Sequence, residues 1–547
     1  MISSKGKRKL VEVDLVSSDE DAKVIRSNRP REDSRIQGAA ADYTSRSSIS
    51  PPRRPKVKQV SQAPNSTGTI RRIDSPIKLT KVEGLPDAVN VDTASLEDIL
   101  SNPLVKECWA FNYLIDVEFL LSKFDSDTRD QVQLTVVHGF WKHEDRNRLA
   151  LKDAAARHSN VKEVAAYMPE MFGTHHSKML ILARHDDLAQ IIILTANFIE
   201  QDWRMTQGAW VSPLLPLLAD KDNPKGTDRV GTGSKFKFDL ISYLKTYKDR
   251  LQSLVVTIER YDFQEIRAAL VASVPYGNSI QSEVADVSRT NWGWPGLKHI
   301  LSHISCPESI PEIVVQVSSV ATLGVQDTWL QKSFFSALKT SQHLLSDAQA
   351  KFSIIFPTAE EIRRSISGYE CGSSIHMKTQ SDQNQKQLKY IRPMLQQWAG
   401  DSNPGNIPAS NVRRAGRRRA GPHIKTYIRF TDSRMRTIDW ALLTSANLST
   451  QAWGASTNKD KEVRISSYEI GVMVWPALFK DEPSESIEMI PVFQKNQPDQ
   501  TPSDKTQVGF RMPYDLPLVP YAKTDEPWCA TKPDSKPDWM GRAWPGY

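Results

Sequence analysis

The sequence predicts an α/β protein built as two similar halves behind an unstructured tail. Three observations carry that prediction. Strand-like and helix-like segments alternate from about residue 91 onward, one short motif occurs in two widely separated copies, and residues 1–90 hold a single aromatic, Tyr43. The 547-residue length exceeds what one compact core organises. The expected division is a tail at 1–90, a first domain at 91–277 and a second at 278–547, with Pro275–Ser279 as the junction.

The tail is dominated by Ser, Pro, Arg, Lys and Asp. Such a segment buries too little apolar area to offset the entropy of ordering, so disorder is expected. Its basic clusters, Lys5–Lys9 and Arg53–Lys58, suit nuclear import or loose contact with DNA, and equally a solubilising tail. Val11–Val16 followed by the acidic Ser17–Asp21 is similar to a SUMO-interacting strand.

The folded part is expected to open with capping residues at 92–95 ahead of Leu96–Leu100. Gln133–Val137, Lys178–Leu182, Ile191–Leu194, Tyr427–Phe430, Ile438–Leu443 and Gly471–Trp475 read as strands. The near-continuous apolar run from Leu188 to Ile193 indicates a strand covered on both faces. Thr328–Lys339 and Gln387–Trp398 read as helices, and Asn411–Ala420 as a basic loop. After Gln497 the chain is rich in Pro, Asp and Lys, with Trp528, Trp539 and Trp544 among them, as in an irregular tail that wraps a domain.

Composition excludes several classes. No stretch approaches the roughly 20 apolar residues of a membrane span, and no apolar run follows the charged first residues as in a secretory leader. Four cysteines without CxxC spacing argue against a zinc ribbon or disulfide scaffold and for a reducing compartment. The net charge of +7 permits a polyanionic partner without demanding one.

The doubled motif carries the chemistry. His176-Ser-Lys178 opens an apolar strand, and a following strand ends in Thr195-Ala-Asn197. His423-Ile-Lys425 does the same, followed by Thr444-Ser-Ala-Asn447. On a strand, residues i and i+2 share a face, so each His projects with its Lys. A diverged internal duplication explains the repeat. Two His, two Lys and two Asn around one point suit phosphodiester cleavage. One imidazole attacks phosphorus and the other protonates the leaving oxygen. The ammonium and amide groups hold the non-bridging oxygens, so neither metal nor cofactor is required.

These residues resemble the phospholipase D superfamily, whose HxK is followed by four residues and then Asp. Ala183 and Phe430 stand at those positions here. That departure is similar to the tyrosyl-DNA phosphodiesterase branch. So are Phe172-Gly-Thr-His-His-Ser-Lys-Met179, Asp202-Trp203, Thr206–Trp210, Ser318–Gly324, Pro422–Tyr427, Ser445–Ser449, Ala452–Gly454, Tyr468–Gly471 and Pro513–Pro517, in that order.

The resemblance spans roughly residues 95 to 547. It implies two phospholipase D-like α-β-α sandwich domains about a pseudo-two-fold axis, acting as a monomer in the nucleus on 3′ adducts of single-stranded or nicked DNA, above all topoisomerase I-derived peptides. By the same resemblance His176 is the nucleophile and His423 the acid and then the base. Lys178, Lys425, Asn197 and Asn447 clamp the phosphate. Gln207 and Glu469 orient the two imidazoles, with the pairing left open. Phe172 stacks on a base, and Ser319, Thr322 and Ser449 lie near the DNA backbone. His175 reads as structural. The alternatives are a general phospholipase D-superfamily nuclease or phosphodiesterase, or an inactive DNA-binding scaffold. The absent aspartates weigh against the first, and two intact His/Lys/Asn sets against the second.

Overall fold

The computed structural model describes residues 71–218, 229–279, 289–343, 349–401, 408–500 and 502–546. The basic clusters and the SUMO-type segment lie outside the described residues.

Two mixed sheets organise the chain. The first has eight strands, with Ile77–Leu79 at one edge, Met179–Arg184 and Leu188–Leu194 near the middle and Val161–Ala165 at the other edge. The second has ten, centred on Thr426–Phe430, Ile438–Thr444 and Glu469–Val474. Alternation decides the layers. Met179, Ile181, Ile191 and Ile193 face a central core shared with Ile428, Phe430, Leu443 and Val472 of the second sheet. Leu180, Leu182, Ile192 and Leu194 face an outer core with Leu96, Leu120 and Leu151, which lie on helices. Tyr427, Trp440, Leu442 and Met473 face the opposite outer core, against Leu297, Leu301 and Phe334. Period-two burial on both faces of both sheets is the physical basis of the α-β-α arrangement in each half. The halves meet closely at Gly208, where an added Cβ would lie 2.6 Å from Leu443 Cδ1 and 2.8 Å from Ile424 Cδ1.

Several sequence expectations are corrected. Residues 71–90, assigned to the tail by composition, are part of the fold. Arg72–Ile73 pairs with Thr506–Arg511, and Ile77–Leu79 pairs with Gly208–Val211. The segment is short and polar because it is an edge, completed by partners distant in sequence. Ala269–Ser273, placed before the junction, pairs with Glu469–Val474 and so belongs to the second sheet. The helix expected at 387–398 runs from Asp382 to Ile391 and gives way at Arg392–Met394, where Pro393 offers no N–H. Thr506–Arg511 interrupts the expected irregular tail as a sheet strand, and Trp539 within that tail is exposed while Trp528 is buried.

The basic loop is not a solvated arm. Arg417 is fully buried and donates to the Thr80 and Val89 carbonyls, both at 2.9 Å. Thr80 also exchanges backbone contacts with Gln207, its N–H reaching the Gln207 carbonyl at 3.1 Å. A chain starting at residue 91 strands this buried guanidinium and removes that brace. It is expected to lose roughly 3–5 kcal/mol of stability and most of its turnover, whereas a chain starting at residue 71 keeps both. Denaturant unfolding of the two chains checks this.

Candidate active site

Each half contributes one arm to the site, and the arms cross. The strand entering His176 pairs with the second half through a parallel bridge between His175 and Tyr468, and the His176 N–H donates to the Tyr468 carbonyl at 3.0 Å. The segment entering His423 pairs with the first half through a parallel bridge between Pro422 and Thr206. In both cases the residue before the catalytic His meets the residue before Glu469 or Gln207. A backbone pseudo-two-fold thus delivers each orienting side chain to the other half's imidazole.

That geometry fixes the pairing. His176 Nδ1 lies 3.0 and 3.1 Å from the two Glu469 carboxylate oxygens. His423 Nδ1 lies 3.2 Å from Gln207 Oε1 and 3.0 Å from Gln207 Nε2. The Gln207 amide is oriented independently, since Nε2 donates to the Asp202 carbonyl at 2.9 Å and Oε1 accepts from Thr195 Oγ1 at 2.8 Å. His423 Nδ1 thus faces both atoms of the Gln207 amide and, at 3.4 Å, the Asp202 carboxylate, and the tautomer decides which of them it engages. Ser445 Oγ holds Glu469 as Thr195 holds Gln207. The hydroxyl two residues before each Asn is thus the second functional position of the doubled motif. With Nδ1–H held by Glu469, His176 keeps its Nε2 lone pair for attack, while Nε2 of His423 is the atom at which a proton can be given and taken.

The cations belong to the same cluster. Lys178 Nζ donates to the His176 carbonyl at 3.0 Å, and Lys425 Nζ to the His423 carbonyl at 2.5 Å. Both are buried. Burial pushes the Lys178 ammonium down to about 8, against the pull of Glu469 and Asp202. Burial, then Lys178, pushes Lys425 well below its ordinary value. His176 is lowered by burial, with Glu469 opposing and Lys178 and Lys425 adding to the shift. His423 is lowered strongly by burial and then by both lysines and His176. All four groups feel one another, as one compact cationic pocket requires.

The amides are set in different ways. Asn447 Oδ1 accepts from the Ser319 N–H at 3.0 Å and from the Ser318 N–H and hydroxyl at 3.2 Å, which leaves its NH2 as the group for a ligand. Asn197 Oδ1 is buried with no partner, and such an atom calls for a ligand donor or an exchanged amide orientation.

Phe172 is 41% exposed. Thr322 is exposed. Ser449 is buried, and its hydroxyl caps the Thr450–Trp453 helix by accepting from Ala452 N–H at 3.1 Å. His175 is fully buried between the Asn112 carbonyl and Tyr247, and burial pushes its imidazole down to about 3, so it stays neutral and structural.

Asp202 is the site residue that sequence reasoning missed. It is fully buried, its Oδ2 lies 3.4 Å from His423 Nδ1 and accepts from Asn197 N–H at 2.8 Å, and burial raises its carboxyl. It follows Asn197 by five residues, but the same offset from Asn447 gives Ala452, so the repeat does not display it. Among the described residues no group of three or more His, Cys, Asp or Glu could hold a metal ion, and no helix is long and apolar enough to cross a membrane.

Two interleaved halves, each supplying His, Lys and Asn to one pocket, define a phosphodiesterase of the phospholipase D kind. A sequence model of the tyrosyl-DNA phosphodiesterase family matches residues 76–522. A probable tyrosyl-DNA phosphodiesterase of Schizosaccharomyces pombe is 29% identical over 86% of this chain and 96% of its own length. Tyrosyl-DNA phosphodiesterase 1 of Drosophila melanogaster is 31% identical over 79% of this chain and 70% of its own. The solved yeast tyrosyl-DNA phosphodiesterase shares the fold, with a TM-score of 0.58 at 20% identity over 83% of this chain and 99% of that one. The chain belongs to the tyrosyl-DNA phosphodiesterase family, and is a phosphoric diester hydrolase of DNA repair.

Proposed function

We propose that the protein releases peptide remnants, such as those left by topoisomerase I, from DNA 3′ ends through a covalent phosphohistidine. The crossed pairing of the two imidazoles carries this reading. His176, its Nδ1–H held by a carboxylate, is the better nucleophile, because Glu469 offsets the positive charge that grows on the ring as the N–P bond forms. His423, held by a neutral amide, exchanges its Nε2 proton more freely and suits the acid-then-base role. His176 Nε2 attacks phosphorus while His423 gives its proton to the tyrosine oxygen. His423 then takes a proton from water, which displaces His176 and leaves a 3′ phosphate. Lys178, Lys425, Asn197 and Asn447 neutralise and hold the non-bridging oxygens.

Exposed Phe172 supports a single-stranded or frayed DNA end, since stacking tolerates any base. Affinity should fall with salt and change little with sequence. The basic clusters of residues 1–90 support a nuclear location.

The test is a 3′-phosphotyrosyl oligonucleotide with purified protein and excess EDTA. The expected result is an undiminished rate of 3′-phosphate formation, because the lysines supply the charge a metal would bring. A loss of turnover that magnesium restores would falsify the mechanism.

A further inference from the structure

The two imidazoles differ in the charge set against them. A histidine that gives one ring proton and keeps the other is a cation before it acts. The pocket already holds two buried ammonium groups, Lys178 and Lys425. Burial, then both lysines and His176, push His423 strongly toward its neutral form. His176 has the Glu469 carboxylate at its Nδ1, whereas the orienting position on the other arm is the neutral amide of Gln207. That amide can direct the His423 ring but brings no charge to it.

Asp202 can bring it. The residue sits on the short helix Glu200–Trp203 and is fully buried. Its Oδ2 is 3.4 Å from His423 Nδ1, an ion-pair distance, and accepts from the Asn197 N–H at 2.8 Å. Its Oδ1 accepts from the Ser374 hydroxyl at 3.1 Å. Burial raises the carboxyl, and the Asn197 N–H, Lys425, Lys178 and the Ser374 hydroxyl all oppose that rise. Glu370, on the same Gly368–Ser374 segment as Ser374, pairs instead with Arg542 at 3.9 Å. Two hydrogen-bond donors, an imidazole and two cations around one carboxyl favour its ionised form. The Asp202 main-chain carbonyl also accepts from Gln207 Nε2 at 2.9 Å, so one residue bears on both the direction and the charge of the ring. The second half has Ala452 at the matching offset, and the asymmetry is therefore confined to His423.

We infer that Asp202 is the positioning residue that holds His423 as an imidazolium, ready to protonate the leaving tyrosine. The proton passes from His423 Nε2 to the tyrosine oxygen as the P–O bond breaks and the N–P bond to His176 forms. Asp202 keeps its negative charge throughout and takes no proton itself. It serves again when His423 draws a proton from water and becomes a cation once more. The inference rests on His423 being the acid for the tyrosine leaving group. It makes the need for Asp202 depend on how much proton help the leaving group requires.

The experiment measures single-turnover release from one oligonucleotide carrying either a 3′-phosphotyrosine or a 3′-(4-nitrophenyl) phosphate. Tyrosine has a pKa of about 10, while 4-nitrophenol is a much stronger acid and leaves with little proton help. In the full chain, Asp202→Asn is expected to slow tyrosine release by about 10²-fold and nitrophenol release by only about threefold. In a His423→Ala background the same substitution should add almost nothing to the loss on tyrosine, because Asp202 acts through that ring. If Asp202→Asn does not fold, Asp202→Glu, which keeps the charge but displaces it, should show the same selective loss at smaller size. Equal slowing of the two leaving groups overturns the inference. So does an undiminished rate on tyrosine, or a loss that adds in full to that of His423→Ala. A His423→Ala variant that itself slows both leaving groups equally would overturn the reading of His423 as the acid instead.

Discussion

His423→Ala should trap DNA on the enzyme, and His176→Ala should not. Tyrosine has a pKa of about 10 and can leave with partial help. Water, at about 15.7, is a poor nucleophile without a base. Loss of His423 therefore slows the first step and stalls the second. Multiple turnover is expected to fall by about 10²–10⁴-fold, with a slow-migrating, acid-labile protein–DNA band on a denaturing gel. His176→Ala leaves no nucleophile and should give neither product nor band. The opposite pattern would exchange the two roles. Absence of a band in both variants would make direct attack by water the better account.

Lys178 gives the second large effect. In the proposed reaction Lys178 holds the phosphate as an ammonium, and burial brings its pKa down to about 8. As pH rises through that value the free enzyme loses the cation, so kcat/KM should fall on the alkaline side well before an ordinary lysine near 10.4 would titrate. A bound phosphate anion favours the ammonium, so the corresponding limb of kcat should lie at higher pH. Lys178→Ala should cost about 10²–10³-fold in kcat at neutral pH. Lys178→Arg, which stays charged throughout, should be slow from poor fit yet show no limb near 8. An unchanged pH profile in the Arg variant would assign the limb to another group.

What the sequence makes legible follows from how local each signal is. The strands at 188–194 and 438–444 are readable because burial on both faces writes apolar runs into the chain. The two His/Lys/Asn sets are readable because the duplication shows them twice. Residues 71–90 are not readable, since their strands are edges whose partners lie more than a hundred residues away in sequence. The buried state of Arg417 is equally hidden, because in composition it is one arginine of a basic loop, and only Thr80 and Val89 make it structural. Which imidazole belongs to Glu469 and which to Gln207 depends on how two separate backbones cross, and no spacing within one copy records that.

The crossed arms also bear on how such a protein can change over time. Either half taken alone has a histidine whose steering group resides in the other, so neither could have served as a finished catalyst in this form. A single-copy ancestor would have had to pair with itself, each copy lending its partner the same side chain. Once both copies shared one polypeptide, that constraint of sameness lapsed. One steering position could become a carboxylate and the other an amide, and two identical imidazoles could take up unlike duties. The surface where the halves meet accordingly sets how both imidazoles are held. A substitution there that shifts one strand by a fraction of an ångström, even far from the phosphate, should detune both histidines at once while leaving the fold intact.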